Sequence, residues 1–271
     1  VRIGAVAYAP SAVTVFENLR RYFARTDLPI DYVLYSNYDA LVDALRSGYV
    51  DIAWNTPLAH ARYHLGCNGQ SQTLVMRDVD CDFRCVLLVR KESGIKAPAG
   101  LEGKTFALGS REAAEATVLP LHYFKREQVQ LDRVKFLRLD EELDLRGNPC
   151  SSPHHVLKAL RAGRADAGIV GARMWDDLKT RNAPEAEGLQ AVWTSPPFSH
   201  CVFTAAKDFD KTIAARFTRL MLAMDGKDEC TSEILRLEAA RRWVAGSPDG
   251  FATLIEALRA ENIKVRSGAR P

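Results

Sequence analysis

Two cysteines stand four residues apart in the segment Cys81-Asp82-Phe83-Arg84-Cys85. Alternation along an extended segment would place Cys81, Phe83 and Cys85 on one face. Thiolate sulfur holds soft ions that oxygen donors bind weakly, so this triplet is a candidate soft-ligand site. Cys150 lies beside a further candidate segment, and Cys67, Cys201 and Cys230 complete the six. None forms a CxxC pair, and His154-His155 are adjacent, so the spacing gives no zinc signature. The same six cysteines also suit one or two disulfides plus buried thiols. They fit an oxidising compartment.

A second set of residues suits hard anions. Four segments each adjoin an expected strand and open an expected helix: Tyr8 to Ser11, Asn55-Thr56-Pro57, Gly109-Ser110-Arg111 and Cys150-Ser151-Ser152-Pro153-His154. Helix starts carry unpaired N–H groups and the positive end of the helix dipole, and ligands of open α/β sheets gather at such strand ends. Tyr8, Asn55, Thr56, Ser110, Arg111, Ser151 and His154 are therefore candidate oxyanion contacts, with Ser11 an expected N-cap. Catalysis has little support. There is no GxSxG, Walker or GxGxxG motif. Glu112 and Glu115 suit the first turns of a helix, where carboxylates are stabilising without chemistry. His154 reads as a cap neighbour and His200 as a surface residue. The chain reads as a binder that needs no cofactor, rather than an enzyme.

The elements that must position these residues follow a repeated grammar. Val1 to Ala7, Ile30 to Tyr35 and Val50 to Trp54 read as strands separated by helices, a β-α-β-α-β order that implies a parallel sheet. Thr105 to Gly109, Val134 to Leu137 and Ala165 to Val170 repeat it, with helices from about Arg111 to Phe124 and from Pro153 to Arg161. Ala44-Leu45-Arg46-Ser47-Gly48-Tyr49-Val50-Asp51 matches Ala159-Leu160-Arg161-Ala162-Gly163-Arg164-Ala165-Asp166, which suggests two similar lobes. Cys85 to Arg90 and Cys201 to Ala205 read as the strands that connect them. Ile213 to Lys264 reads as helices returning to the first lobe. The expected lobes are 1–85 with 204–271, and 86–203. Over 271 residues, 37 Lys+Arg against 34 Asp+Glu give a net charge of +3, which leaves no nucleic-acid footprint. No run of eighteen apolar residues could span a membrane.

Several segments resemble the phosphonate/phosphite-binding periplasmic proteins: Val50 to Ala59, Val86 to Ile95, Leu101 to Ala107, Val156 to Gly168, Ser195-Pro196-Pro197 and Gly250-Phe251. The resemblance implies a type II periplasmic-binding-protein fold, two α/β lobes joined by two hinge strands and closing on a small oxyanion. It also implies a periplasmic location, with any secretory leader already removed. Three positions depart from the family pattern. The Ser/Thr-rich anchor becomes Ser110 to Thr117 with two acids, the histidine opening the next helix falls at Pro153 or His154, and the usual hinge tyrosine is Phe83.

Weakened phosphate anchors and added sulfur point to a thiophilic oxyanion. The chain resembles the arsenic-sensing branch of the family, found beside arsenite oxidase. That likeness implies arsenite bound through Cys81 or Cys85, with a membrane sensor histidine kinase as partner in a two-component system. The alternative is delivery of phosphite, phosphonate or phosphate to an ABC permease.

Overall fold

The computed structural model describes residues 1–111, 113–143 and 152–260. The chain divides into two α/β units. Unit 1 holds Val1–Asp82 and Phe198–Ile255, and unit 2 holds Phe83–Pro197, with 256–260 grouped beside it. The boundaries thus fall at 82/83 and 197/198, a few residues earlier than the sequence expectation.

Unit 1 begins with β1 (Arg2–Val6), α1 (Ala12–Phe23), β2 (Asp31–Tyr35), α2 (Tyr38–Arg46), β3 (Ile52–Asn55), α3 (Pro57–Gly66) and β4 (Gln72–Arg77). Unit 2 follows with β5 (Cys85–Arg90), β6 (Thr105–Leu108), a π-type turn (Ala114–Val118) running into α4 (Leu119–Arg126), and β7 (Lys135–Arg138). It continues with α5 (Pro153–Arg161), β8 (Ala167–Gly171), α6 (Ala172–Thr180) and β9 (Leu189–Thr194). The chain then returns through β10 (Val202–Ala205), α7 (Lys211–Leu222), α8 (Glu229–Leu237) and β11 (Trp243–Ala245), and the described part ends in α9 (Ala252–Ala260).

Both sheets are mixed rather than parallel. The first has the order β2-β1-β3-β10-β4-β11 and the second β7-β6-β8-β5-β9. In unit 1, β10 runs antiparallel between β3 and β4, and in unit 2, β5 runs antiparallel between β8 and β9. Read from β2 and from β7, the two sheets share one plan, and β11 is the extra strand of unit 1.

The repeat seen in the sequence is a repeat of hydrogen bonds. Gly48 and Gly163 take φ of 72° and 69°, which lets the chain reverse out of each helix without a Cβ clash. Tyr49 N–H then bonds Ala44 C=O at 2.9 Å, and Arg164 N–H bonds Ala159 C=O at 3.0 Å. The Asp51 carboxylate accepts the N–H of Arg2, the first residue of β1, at 2.7 Å. Asp166 accepts the N–H of Thr105, the first residue of β6, at 3.0 Å. Each Asp therefore fastens its strand to the start of the neighbouring one.

The core of unit 1 packs Phe16, Phe23, Phe217, Phe203, Trp54 and Trp243 against its sheet, and Leu41, Leu45 and Tyr63 form a second cluster. Unit 2 packs Leu157, Leu160, Trp175 and Leu178 around Val86, Leu88 and Val170. Local expectations fail in two places. Ser11 makes no side-chain cap bond because it is itself in the helical region. The helix expected from Arg111 begins only after the π-type turn that starts at Ala114.

Candidate functional site

The strand ends of unit 1 gather its buried charges. β1 and β3 finish at this edge, and the antiparallel β10 starts there, Val202 pairing with Asn55. β4 ends there at Arg77, which pairs with Trp243 at the start of β11. The Arg77 guanidinium forms a fork on Asp80, Nε to Oδ2 at 2.5 Å and Nη2 to Oδ1 at 2.8 Å, and donates from Nη1 to Glu238 at 3.0 Å. It also lies 5.4 Å from the centre of a Trp54 ring. Asp80 is 1% exposed and Glu238 4%. Burial favours a neutral Asp80, but hydrogen bonds from Arg77 and His200 outweigh it and hold the carboxyl below its usual pKa. Burial likewise works against the Arg77 charge, and Asp80 and Glu238 more than restore it.

Two further groups join this network. Tyr8 donates its hydroxyl to Glu238, and burial followed by the Glu238 charge raises the phenol pKa. His200 Nδ1 lies 3.1 Å from Asp80 Oδ1 and 3.2 Å from Cys201 Sγ. Carboxylate and sulfur thus meet the same ring nitrogen. A nucleophile–base–acid relay needs them on opposite nitrogens, so this is not a catalytic triad.

Asn55 is the other unusual group of this edge. It is 1% exposed, and neither its amide nitrogen nor its oxygen has a partner among the described residues. It precedes Thr56, whose hydroxyl accepts the Ala59 N–H at 3.3 Å and caps α3, with Pro57 filling the first helical position. Tyr8, Asn55 and Thr56 are therefore brought to one sheet edge, as their positions in the sequence imply. Arg77, Asp80, Glu238, His200 and Cys201 escaped the sequence reading as site residues. The adjacent His200-Cys201 pair at the start of a strand was the available signal.

The sulfur triplet does not survive. Cys81 ends a short 3-10 turn, Asp82 has φ of 50°, and β5 starts only at Cys85, so the three side chains do not alternate along one strand. Cys81 belongs to unit 1, while Phe83 and Cys85 belong to unit 2. Phe83 packs its ring on Gly171, where an added Cβ would sit 3.1 Å from it. Cys85 is 0% exposed, and burial pushes its thiol up to about 12. Its N–H donates to Ser195 Oγ at 3.0 Å. Cys67, Cys81, Cys85, Cys201 and Cys230 are all free thiols, so the expected disulfides are absent among the described residues.

The remaining candidates of unit 2 are differently engaged. Arg111 is held by Asp140 at 2.9 Å and Glu141 at 2.7 Å, which neutralise its charge toward an anion. The Ser110 carbonyl accepts from the Thr117 hydroxyl at 2.9 Å, bracing the π-type turn. His154 is exposed, and it is His155 that meets Ser152, Nδ1 to Oγ at 2.8 Å. Glu112, Cys150 and Ser151 lie outside the described residues.

Residues 3–251 match the protein family described as "ABC transporter, phosphonate, periplasmic substrate-binding protein". A probable ABC transporter phosphite-binding protein, PhnD1 of Prochlorococcus marinus, is 23% identical over 251 residues, covering 89% of this chain and 81% of its own length. The structure of PhnD1 from that organism in complex with methylphosphonate has a TM-score of 0.70 at 20% identity, with 97% of this chain and 98% of that one covered. XAC2383 from Xanthomonas citri, bound to ATP, reaches a TM-score of 0.75 at 18% identity with the same coverage. These likenesses establish the α/β fold of periplasmic binding proteins, with its two mixed sheets. Among the described residues, no helix is long and apolar enough to cross a membrane.

Proposed function

Because the chain belongs to the family of periplasmic phosphonate substrate-binding proteins of ABC transporters, we propose that it captures a small phosphonate- or phosphite-class oxyanion and delivers it to an ABC permease. The observation that carries this reading is Asn55. A buried amide with both atoms unpaired costs about 1–3 kcal/mol per group. Here that amide stands immediately before the N-terminus of a ten-residue helix. An oxyanion carrying a hydroxyl accepts from the amide nitrogen and donates to the amide oxygen, and the helix dipole favours its charge. Tyr8 lies on the same edge with its hydroxyl on Glu238. The reading is of a binder rather than an enzyme, and membership of a family of substrate-binding proteins supports it.

Calorimetric titration with methylphosphonate, phosphite, phosphate and arsenite tests the reading. Saturable binding of a phosphorus oxyanion that weakens in Asn55→Leu supports it. Heats absent for all three phosphorus compounds overturn it.

A second reading, arsenite capture with a signal passed to a membrane histidine kinase, rests on one observation. Cys81 is a free, partly exposed thiol, whereas Cys85 is sealed. Arsenite condenses with thiols by losing water, so it needs no thiolate at the outset. Arsenite binding that disappears in Cys81→Ser and persists in Cys85→Ser favours it. Silence with arsenite removes it.

A further inference from the structure

We propose that Asp80, His200 and Cys201 form a binding site for one thiophilic divalent metal ion, of which Zn²⁺ is the type. Their ligand atoms all lie within 4.8 Å of one another. Two of the separations, 3.1 Å from Asp80 Oδ1 to His200 Nδ1 and 3.2 Å from that nitrogen to Cys201 Sγ, need widen only slightly, and the carboxylate-to-sulfur pair is within 4.8 Å. Tetrahedral zinc with ordinary Zn–N, Zn–O and Zn–S bonds sets its ligands roughly 3.3–3.6 Å apart. Sulfur, imidazole and carboxylate together favour zinc or a softer ion over calcium or magnesium, which seek all-oxygen shells.

The hydrogen bonding points the same way. One ring nitrogen faces two electron-rich atoms, so a single proton on Nδ1 must serve both a carboxylate and a sulfur. A cation in place of that proton satisfies all three. Imidazole binds through Nδ1 as the neutral Nε2–H tautomer, and the Cys201 thiol proton leaves to solvent. Charge balance follows. Arg77 offsets only one of the buried carboxylates Asp80 and Glu238. A divalent ion offsets the other together with a Cys201 thiolate, and the cluster becomes neutral. The Arg77 fork on Asp80 remains, orienting the carboxylate from behind as supporting partners of metal ligands commonly do.

The location gives the ion a structural task. Asp80 lies two residues before the chain leaves unit 1 at Asp82, and Cys201 three residues after it returns at Phe198. Their backbones already meet, His200 N–H to Asp80 C=O at 2.9 Å. Bound metal would pin both connecting segments at their roots in unit 1.

The test uses the whole chain stripped with a chelator and titrated with Co²⁺ and Zn²⁺. One Co²⁺ per chain with a sulfur-to-metal charge-transfer band is expected, together with release of a proton. Cys201→Ser should abolish the band and His200→Gln should weaken binding at least tenfold, while Cys81→Ser changes neither. In the unsubstituted protein, one equivalent of Zn²⁺ should slow alkylation of Cys201 and leave Cys81 unaffected. Absence of stoichiometric binding, a band that persists in Cys201→Ser, or unprotected Cys201 would each overturn the assignment. Phosphonate titration of the same samples reads the oxyanion site independently.

Discussion

Cys85 and Cys201 occupy matching places in the two units and have opposite chemistry. Cys85 pairs with Gly171, the residue that opens α6. Val202 pairs with Asn55, so continuing that register sets Cys201 level with Thr56, the residue that opens α3. Unit 2 walls its thiol with Ser195 and leaves it 0% exposed, and burial drives its pKa upward. Unit 1 leaves Cys201 partly exposed, beside an imidazole and a carboxylate. One strand position thus yields an inert core atom or a soft donor, according to the segments that wall it. The rest of the two edges differs likewise. Asn55 in unit 1 corresponds to the apolar Val170 in unit 2, and His60 on α3 to Trp175 on α6.

The largest expected contrast lies in the charge pairs. Arg77→Met leaves Asp80 and Glu238 buried without their partner and should destabilise unit 1 by about 3–5 kcal/mol. Arg90→Met removes the half-exposed pairing with Asp166 in unit 2 and should cost about 1 kcal/mol or less. Guanidinium unfolding curves of both variants measure the difference, and equal losses would break the comparison.

Next in size is a pH effect confined to unit 1. His60 is 1% exposed, bonds Thr204 at 2.9 Å and packs on the Phe251 ring, and burial lowers its pKa to about 3. The unfolded imidazole takes a proton below about 6.5, while the folded one stays neutral. Its stabilisation is therefore complete above that pH and declines as pH falls toward 3, by about 1.4 kcal/mol per unit. Asp80, whose folded pKa is depressed, adds a loss only below the ordinary carboxylate range. Unfolding free energies between pH 7 and 4 should slope accordingly, and His60→Gln should flatten the slope.

A smaller effect, of opposite sign in stability and affinity, belongs to Asn55. Asn55→Leu removes an unpaired buried amide and should raise stability by about 1 kcal/mol or leave it unchanged. Affinity for the bound oxyanion should drop about tenfold or more, the equivalent of about 1.4 kcal/mol. A melting curve and a titration on the same sample test both halves. Val170→Ala in unit 2 should show only a core loss, with affinity intact. The smallest effect is a rate. Alkylation under native conditions should label Cys81 and Cys201 well before Cys85, read by mass spectrometry.

Much of this plan was legible in the sequence, and the omissions have physical causes. The Gly48 and Gly163 segments announced the two units because a helix stop, a left-handed turn and a strand-fastening Asp are all local. The strands β4, β9 and β11 were missed. β11 has three residues, and β9, Leu-Gln-Ala-Val-Trp-Thr, is an edge strand without clean alternation. The sheets read as parallel because β5 and β10, their antiparallel inner strands, look in the sequence like connectors between the units. Tyr8, Asn55 and Thr56 were visible because strand ends are local too. The Cys81–Cys85 face failed at Asp82, since a positive φ at a residue other than glycine is set by its surroundings. Arg77, Asp80, Glu238 and His200 come from separated segments, and only the fold makes them neighbours.

The place of β10 between β3 and β4 dictates an order of assembly. As the polypeptide emerges from the ribosome, every strand of unit 2 is available before Val202–Ala205 has been made. Unit 2 can therefore mature first, whereas β3 and β4 must wait for the strand that bridges them. A nascent chain halted before residue 202 would carry one finished sheet and one with a gap at its centre.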